Sequence, residues 1–353
     1  MASGDAASFR LSVLNPGGRD SQQNFDQGFA PVGAHPPTNF HAFAACTGGS
    51  FQRDVKNAIA EKTPVLLLIR GDFKATERAL IELKKQRRTV AVSLKETGLH
   101  QIANQLCDPV RLARFLRIVN LADGCIATTP EAAGIYQQAR REHDGADVAF
   151  IPTAYPIEDR QWNFAVPPNE QSGIFVGTRE WDVPSRNHLA ALLLARELCH
   201  ATGEAVTVSN LDGRQGARNL SELKFPAGKL RVIERRTPYA DYLREVAKHK
   251  IVLQLDRSRV PGQVAGDALL CRTVCVGGDG AIERIAFTNF CGDGRTTEQL
   301  NSIALKLLNN TNARAAAIIE SQGRAAERLS FQAVRSQLSA FFARIGRKPG
   351  NAR

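Results

Sequence analysis

The chain has 353 residues, with 46 Lys and Arg against 35 Asp and Glu and a net charge of +11. At roughly 100–200 residues per domain this length points to about two domains, and 43% hydrophobic against 23% charged content excludes global disorder. The strongly apolar run Val65 to Ile69 is far short of the about 20 apolar residues that a bilayer span needs.

The opening Met1-Ala2-Ser3-Gly4-Asp5 shows no basic region followed by an apolar stretch, so no secretory signal is visible. Seven cysteines, odd in number and mostly in apolar segments, fit reduced thiols and a cytoplasmic compartment. The charge attracts anions without distinguishing nucleic acid, an anionic membrane surface and phosphorylated small molecules.

Taken in chain order, short apolar β-type runs alternate with helical patterns. Phe9 to Leu14 stops abruptly at Asn15-Pro16-Gly17-Gly18-Arg19-Asp20, a turn. Val65 to Ile69 suits a strand buried on both faces. Ala75 to Arg88 reads as a helix whose Lys84-Lys85-Gln86-Arg87-Arg88 end complements the helix dipole. Thr89 to Val92 is the next strand, Arg111 to Asn120 the next helix, and Gly124 to Thr128 and Asp147 to Ile151 complete the series. Pro152, Pro156, Pro167 and Pro168 then interrupt any regular element, which reads as a linker.

The pattern restarts. Gly173 to Gly177 is a strand, Asn187 to Thr202 a long apolar helix stopped by Gly203, and Ala205 to Val208, Leu230 to Ile233 and Ile251 to Leu255 are strands. Thr273 to Gly277 follows a helix starting near Gly262, and Thr297 to Leu308 and Ala313 to Ile345 read as helical almost throughout. Strand–helix alternation of this kind implies parallel sheets with helical crossovers. The expected fold class is α/β: two Rossmann-like domains with a cleft between them and a helical tail. The expected boundaries are 9–155 for the first domain, 156–171 for the linker, 172–330 for the second domain and 331–346 for a closing helix that packs back on the first.

Ligands of open parallel sheets bind outside the carboxyl ends of the strands, which selects three stretches. The first is the loop with Gly17, Gly18, Arg19 and Asp20, where glycines let backbone approach a ligand. The second, Phe175 to Asn187, sets Arg179 and Arg186 beside a strand end and a helix start. There unpaired N–H groups and guanidinium forks suit phosphate oxygens, and Ser185 is the expected N-cap. The third runs from Ser258 to Gly278, with Arg259, then Gly262, Gln263 and Val264 at a helix start facing a diphosphate, and Asp267 within reach of a sugar hydroxyl. Cys271 and Cys275 lack a matching Cys or His pair, so no metal site is expected. Neither a Ser nucleophile elbow nor a Walker-type Gly-Lys-Ser/Thr is present.

The second half resembles the donor-binding half of GT-B glycosyltransferases, specifically the large retaining group that includes sucrose- and glycogen-synthase-like enzymes. Phe175-Val176-Gly177-Thr178-Arg179 resembles that group's Gly-Arg strand end, with Arg186 where a downstream Lys stands. Pro261 to Val276 resembles its glycine-rich loop, acidic residue and helix–strand unit. The resemblance covers about residues 172 to 345 and implies that Arg179 and Arg186 bind the diphosphate of a nucleotide-sugar. It places Asp267 on the ribose, while Glu283 resembles an acidic residue that often follows. Arg259 departs from the group, standing where a Glu contacts the transferred sugar. The first domain matches in layout only, as an acceptor-binding half, its Gly17-Gly18 loop resembling the one that faces the sugar.

The implied activity is metal-independent hexosyl or pentosyl transfer from a nucleotide-sugar, with no tightly bound cofactor, to an unknown acceptor hydroxyl. Asp20, His100 and Glu96 are candidate general bases because they lie near expected strand ends. Two alternatives stay open. Nucleic acid is one acceptor candidate, since Arg111, Arg114 and Arg117 share a helix face. A catalytically silent nucleotide-sugar-binding or scaffold protein is the other reading, motivated by Arg259. Peripheral contact with an anionic membrane also fits the charge.

Overall fold

The computed structural model describes residues 9–17, 36–140, 147–178 and 180–347. The chain divides into two compact units, Met1–Pro156 with Leu329–Arg353, and Ile157–Arg328.

In unit 1 the chain runs through β1 (Ser12–Leu14), α1 (Asn39–Cys46), β2 (Ser50–Gln52), α2 (Val55–Ala60), β3 (Val65–Ile69) and α3 (Lys74–Lys85). It continues with β4 (Val90–Leu94), α4 (Leu99–Leu106), α5 (Pro109–Leu121), β5 (Gly124–Ala127), α6 (Pro130–Ala139) and β6 (Val148–Phe150). The strands form one parallel sheet in the order β2-β1-β3-β4-β5-β6. All five residues of β3 are buried, because alternate side chains enter different layers. Leu67 and Ile69 pack with Leu80 and Leu83 of α3, Phe115 and Ile118 of α5 and Tyr136 of α6. Leu66 and Leu68 pack on the opposite face with Phe40 and Phe43 of α1 and with residues from the end of the chain.

In unit 2 a short 3₁₀ turn (Arg160–Trp162) precedes β7 (Ile174–Val176), a second 3₁₀ turn (Pro184–Arg186), α7 (His188–Thr202), β8 (Val206–Ser209) and α8 (Gly213–Glu222). Then follow β9 (Leu230–Ile233), α9 (Tyr239–Ala247), β10 (Ile251–Gln254), α10 (Gln263–Leu270), β11 (Val274–Gly277), α11 (Ala281–Ala286), α12 (Thr297–Asn309) and α13 (Thr311–Arg328). Its sheet is parallel, in the order β11-β10-β7-β8-β9. The segment 157–171, expected to be a linker, packs within this unit. Trp162 is buried and the Phe164 N–H donates to Leu270 O at 3.1 Å.

The last helix, α14 (Phe331–Gly346), returns to unit 1, where Val334, Leu338, Phe341 and Ile345 complete the core against α1. The expected continuous helix over 313–345 is broken at Leu329–Ser330, where the Ser330 hydroxyl accepts from Ala333 N at 3.1 Å and caps α14. The helix expected to reach Arg88 ends at Lys85, since Arg87 takes a left-handed φ of 53°. Among the described residues no helix is long and apolar enough to cross a membrane.

Candidate functional site

In unit 2 the strand order reverses at β7, which has β10 on one side and β8 on the other. A crevice opens at such a reversal because successive loops leave in opposite directions. The loops after β7, β10 and β11 therefore bound the candidate site. Two glycines permit the close approach. A Cβ on Gly177 would stand 2.4 Å from Val264 Cγ1, so only glycine lets the start of α10 sit against the end of β7. Gly262, at φ 96°, caps α10, and a Cβ there would meet Glu283 Oε2 at 2.1 Å. The first turn of α10 leaves backbone N–H groups without intrahelical acceptors, at the positive end of the helix dipole.

Arg186 closes the 3₁₀ turn after β7. Its guanidinium pairs with Asp256, whose side chain is only 4% exposed, and with Glu180 at 2.6 Å. Burial works against the Arg186 charge, and the two carboxylates more than offset it, so the guanidinium is held above its ordinary pKa. The loops are stitched by Ser185 Oγ to Ser258 Oγ at 2.8 Å, by Arg257 N–H to Ser185 O at 2.7 Å and by Asn187 Nδ2 to Leu255 O at 2.9 Å. Ser185 is therefore not the cap of α7. Pro184 tightens the chain into a 3₁₀ turn, and the cap position falls to Asn187 at φ 49°.

Arg259 also has carboxylate partners: Asp279 at 3.0 Å and Asp293 at 2.8 Å, while its own N–H donates to Asp279 Oδ1. Desolvation raises the Asp279 pKa against the lowering effect of Arg259. Glu283 lies beneath the loop, 1% exposed, accepting from Gln254 Nε2 at 2.6 Å. Its Oε2 has no partner among the described residues, and burial pushes its pKa up to about 8. A neutral Glu283 removes the repulsion that an ionised carboxylate under Gly262 would exert on a bound phosphate. Asp267, 3% exposed, accepts from the Tyr239 hydroxyl.

Beside Arg186, a pocket of about 340 Å3 is lined by Trp181, Val183, Pro184, Asn187, His188, Leu189, Ala190 and Leu193. His188 there is kept neutral, its pKa lowered to about 4 by burial. This pocket offers shape and apolar surface rather than charge.

Of the expected site residues, Arg186, Arg259, Gly262, Gln263, Val264 and Asp267 stand on neighbouring loops and the helix start at one edge of unit 2. Gly17, at φ 68°, follows β1 in unit 1, and His100 is the second residue of α4 in the same unit. Glu96 is exposed in the loop before α4. Gly18, Arg19, Asp20 and Arg179 lie outside the described residues. Asp256, Asp279, Glu180, Gln254 and Tyr239 belong to this edge without having been singled out. Only Asp256-Arg257-Ser258 carried a local signal, an Asx turn in which Asp256 Oδ1 accepts from Ser258 N at 2.8 Å. On α5, Arg114 and Arg117 both pair with Glu77, at 3.0 and 2.8 Å, which offsets part of the basic face. Among the described residues no group of three His, Cys, Asp or Glu is placed to hold a metal.

Solved structures with the same architecture decide the fold. HepE of Anabaena, determined in complex with UDP, is 13% identical over 95% of this chain and 100% of its own, with a TM-score of 0.64. A UDP-forming α,α-trehalose-phosphate synthase from Burkholderia xenovorans is 9% identical over 96% of this chain and 99% of its own, also at 0.64. The chain has the GT-B fold. A TarM variant from S. aureus, solved with UDP and α-GlcNAc-glycerol, is 10% identical over 83% of this chain and 59% of its own, at 0.58. No family model matches the chain, and no curated protein matches it in sequence. Unit 2 holds most of the stretch 172–345 that the sequence resemblance covers, while the last helix of that stretch, α14, belongs to unit 1.

Proposed function

We propose that the protein is a glycosyltransferase that holds a nucleotide-sugar at the carboxyl edge of unit 2 and moves its sugar to an acceptor hydroxyl. The observation that carries this reading is the convergence of Arg186, the glycine-capped start of α10 and buried Asp267 at the strand-order reversal of a GT-B unit. HepE, solved with UDP, supports a uridine nucleotide as the first one to try.

Arg186 and Arg179 would take the diphosphate, with the N–H groups of Gln263 and Val264 on its other side. Charge developing on the departing nucleoside diphosphate would meet donors already in place, which lowers the barrier without reorganisation. These cations and the helix start do the charge work, so the proposed chemistry is metal-independent. Asp267 would accept from a ribose hydroxyl, exchanging its Tyr239 bond for a ligand bond. Asp20 and His100 are the candidates for the base that takes the acceptor proton.

The pairing of Arg259 with Asp279 and Asp293 favours a second reading. A cation so engaged is unlike a carboxylate facing a sugar, which supports a protein that binds the nucleotide-sugar without transferring it. Titration with UDP tests the donor site, and nucleoside diphosphate release from a panel of UDP-, GDP- and ADP-linked hexoses and pentoses tests transfer. Binding with release establishes the transferase, binding without release the silent protein, and absence of binding across the panel removes both.

A further inference from the structure

Unit 1 has its own strand-order reversal, between β1 and β3. The residues that leave these two strands at their carboxyl ends are Asn15 and Arg70. Asn15 is fully buried, and neither its Oδ1 nor its Nδ2 has a hydrogen-bond partner among the described residues. Its backbone N–H still donates to Gln52 O at 2.9 Å, so the residue is held in the ladder and only its amide is idle. The Arg70 Nη1 is likewise buried without a partner among the described residues. The register pairs Leu14 with Leu67, which sets Asn15 level with Leu68 and two residues short of Arg70. With strands about 4.8 Å apart and about 3.3 Å per residue, the two Cα atoms are roughly 8 Å apart, the span of one small ligand.

Buried polar groups are almost always satisfied, and the buried arginines engage their terminal guanidinium nitrogens even where, as in Arg140 and Arg314, Nε has no hydrogen-bond partner among the described residues. Arg140 pairs with Asp147, Arg186 with Asp256, and Arg314 donates to Leu307 O and Pro168 O. At Asn15 and Arg70 an amide with both polar atoms idle stands beside a guanidinium with a buried, idle Nη1, and both lie at a strand-order reversal, where an open parallel sheet binds its ligand.

We propose that unit 1 binds a small hydroxylated oxyanion, a sugar-like molecule carrying a phosphate or a carboxylate. Arg70 meets the oxyanion with its planar fork, and the Asn15 amide, one acceptor and two donors, meets hydroxyls. The role of this molecule as acceptor rests on the glycosyltransferase reading, whereas its binding does not.

The test is titration of the full chain with a hexose 6-phosphate, a hexuronate, the neutral hexose and inorganic phosphate, with UDP as a separate titration. Preference for the 6-phosphate or the hexuronate identifies the oxyanion. At least one anionic sugar binds tenfold or more tightly than both the neutral hexose and inorganic phosphate. Arg70→Gln weakens that binding at least tenfold and leaves Tm and UDP affinity unchanged, since the side chain has no described partner to lose. Asn15→Leu raises Tm by removing an unpaired buried amide and also weakens the anionic sugar at least tenfold. The proposal is overturned if no anionic sugar binds, if neutral hexose or free phosphate binds as well, if Arg70→Gln is silent, or if Asn15→Leu lowers Tm. Failure of UDP to bind while the anionic sugar still does removes the donor reading alone.

Discussion

Glu283→Gln isolates the protonation state beneath the loop at Gly262. The glutamine keeps an oxygen for Gln254 Nε2, which donates to Glu283 Oε1 at 2.6 Å, and resembles the neutral acid in shape. Glu283 has a folded pKa of about 8 against an ordinary 4.5, desolvation being the main cause. Between those values the unfolded chain has released the proton and the folded chain keeps it, so stability falls as pH rises and is lost through about pH 8. Buried His188 and His249, both lowered to about 4 from 6.5 chiefly by burial, act in the opposite sense. They bind fewer protons folded than unfolded, so stability rises with pH from about 4 to 6.5. The window from pH 6.5 to 8 is therefore dominated by Glu283, and at 1.36 kcal/mol per pH unit the loss is about 2 kcal/mol. Trp162 and Trp181 are the only tryptophans and both lie in unit 2, so urea unfolding followed by their fluorescence reports on this unit. The wild-type unfolding free energy should fall by about 2 kcal/mol across the window and that of Glu283→Gln should stay level. Parallel curves for the two proteins would refute the neutral-acid account.

Two further outcomes bear on the same site. Gly262→Ala forces a Cβ into a left-handed backbone at φ 96° and against Glu283 Oε2; unfolding should show a loss of at least about 1–2 kcal/mol, with weaker UDP binding by calorimetry. Arg186→Ala strands the buried Asp256 carboxylate and should lower stability by about 3 kcal/mol. Adding Asp256→Asn should recover most of that stability and none of the UDP affinity, because one defect concerns a buried charge and the other a missing phosphate ligand.

The alternation of β3, α3, β4 and α5 is written in local hydrophobic periodicity, which depends on neighbours a few residues apart and survives without knowledge of the fold. The turn at Gly262 and the helix start behind it are legible for the same reason. The cap of α7 falls at Asn187 rather than Ser185 because Pro184 draws its neighbours into a 3₁₀ turn, stabilised by bonds to Ser258, Arg257 and Leu255 some 70 residues away. β2 and α1 gave little signal: the three-residue strand Ser50–Gln52 is too short for a pattern, and six of the eight residues of α1 are buried, which leaves no polar stripe.

The sequence by itself determined two α/β halves, parallel strands, and where glycine-rich loops and arginines leave the strands of the second half. Only the tertiary structure decided the state of those groups. Arg186 and Arg259 meet Asp256, Asp279 and Asp293 through loops distant in sequence. Glu283 holds its proton because surrounding backbone excludes water, and Asn15 and Arg70 are neighbours only through the β1–β3 register. Periodicity is a property of a segment, whereas ionisation and unsatisfied hydrogen bonding depend on burial and on partners that only the folded chain brings together.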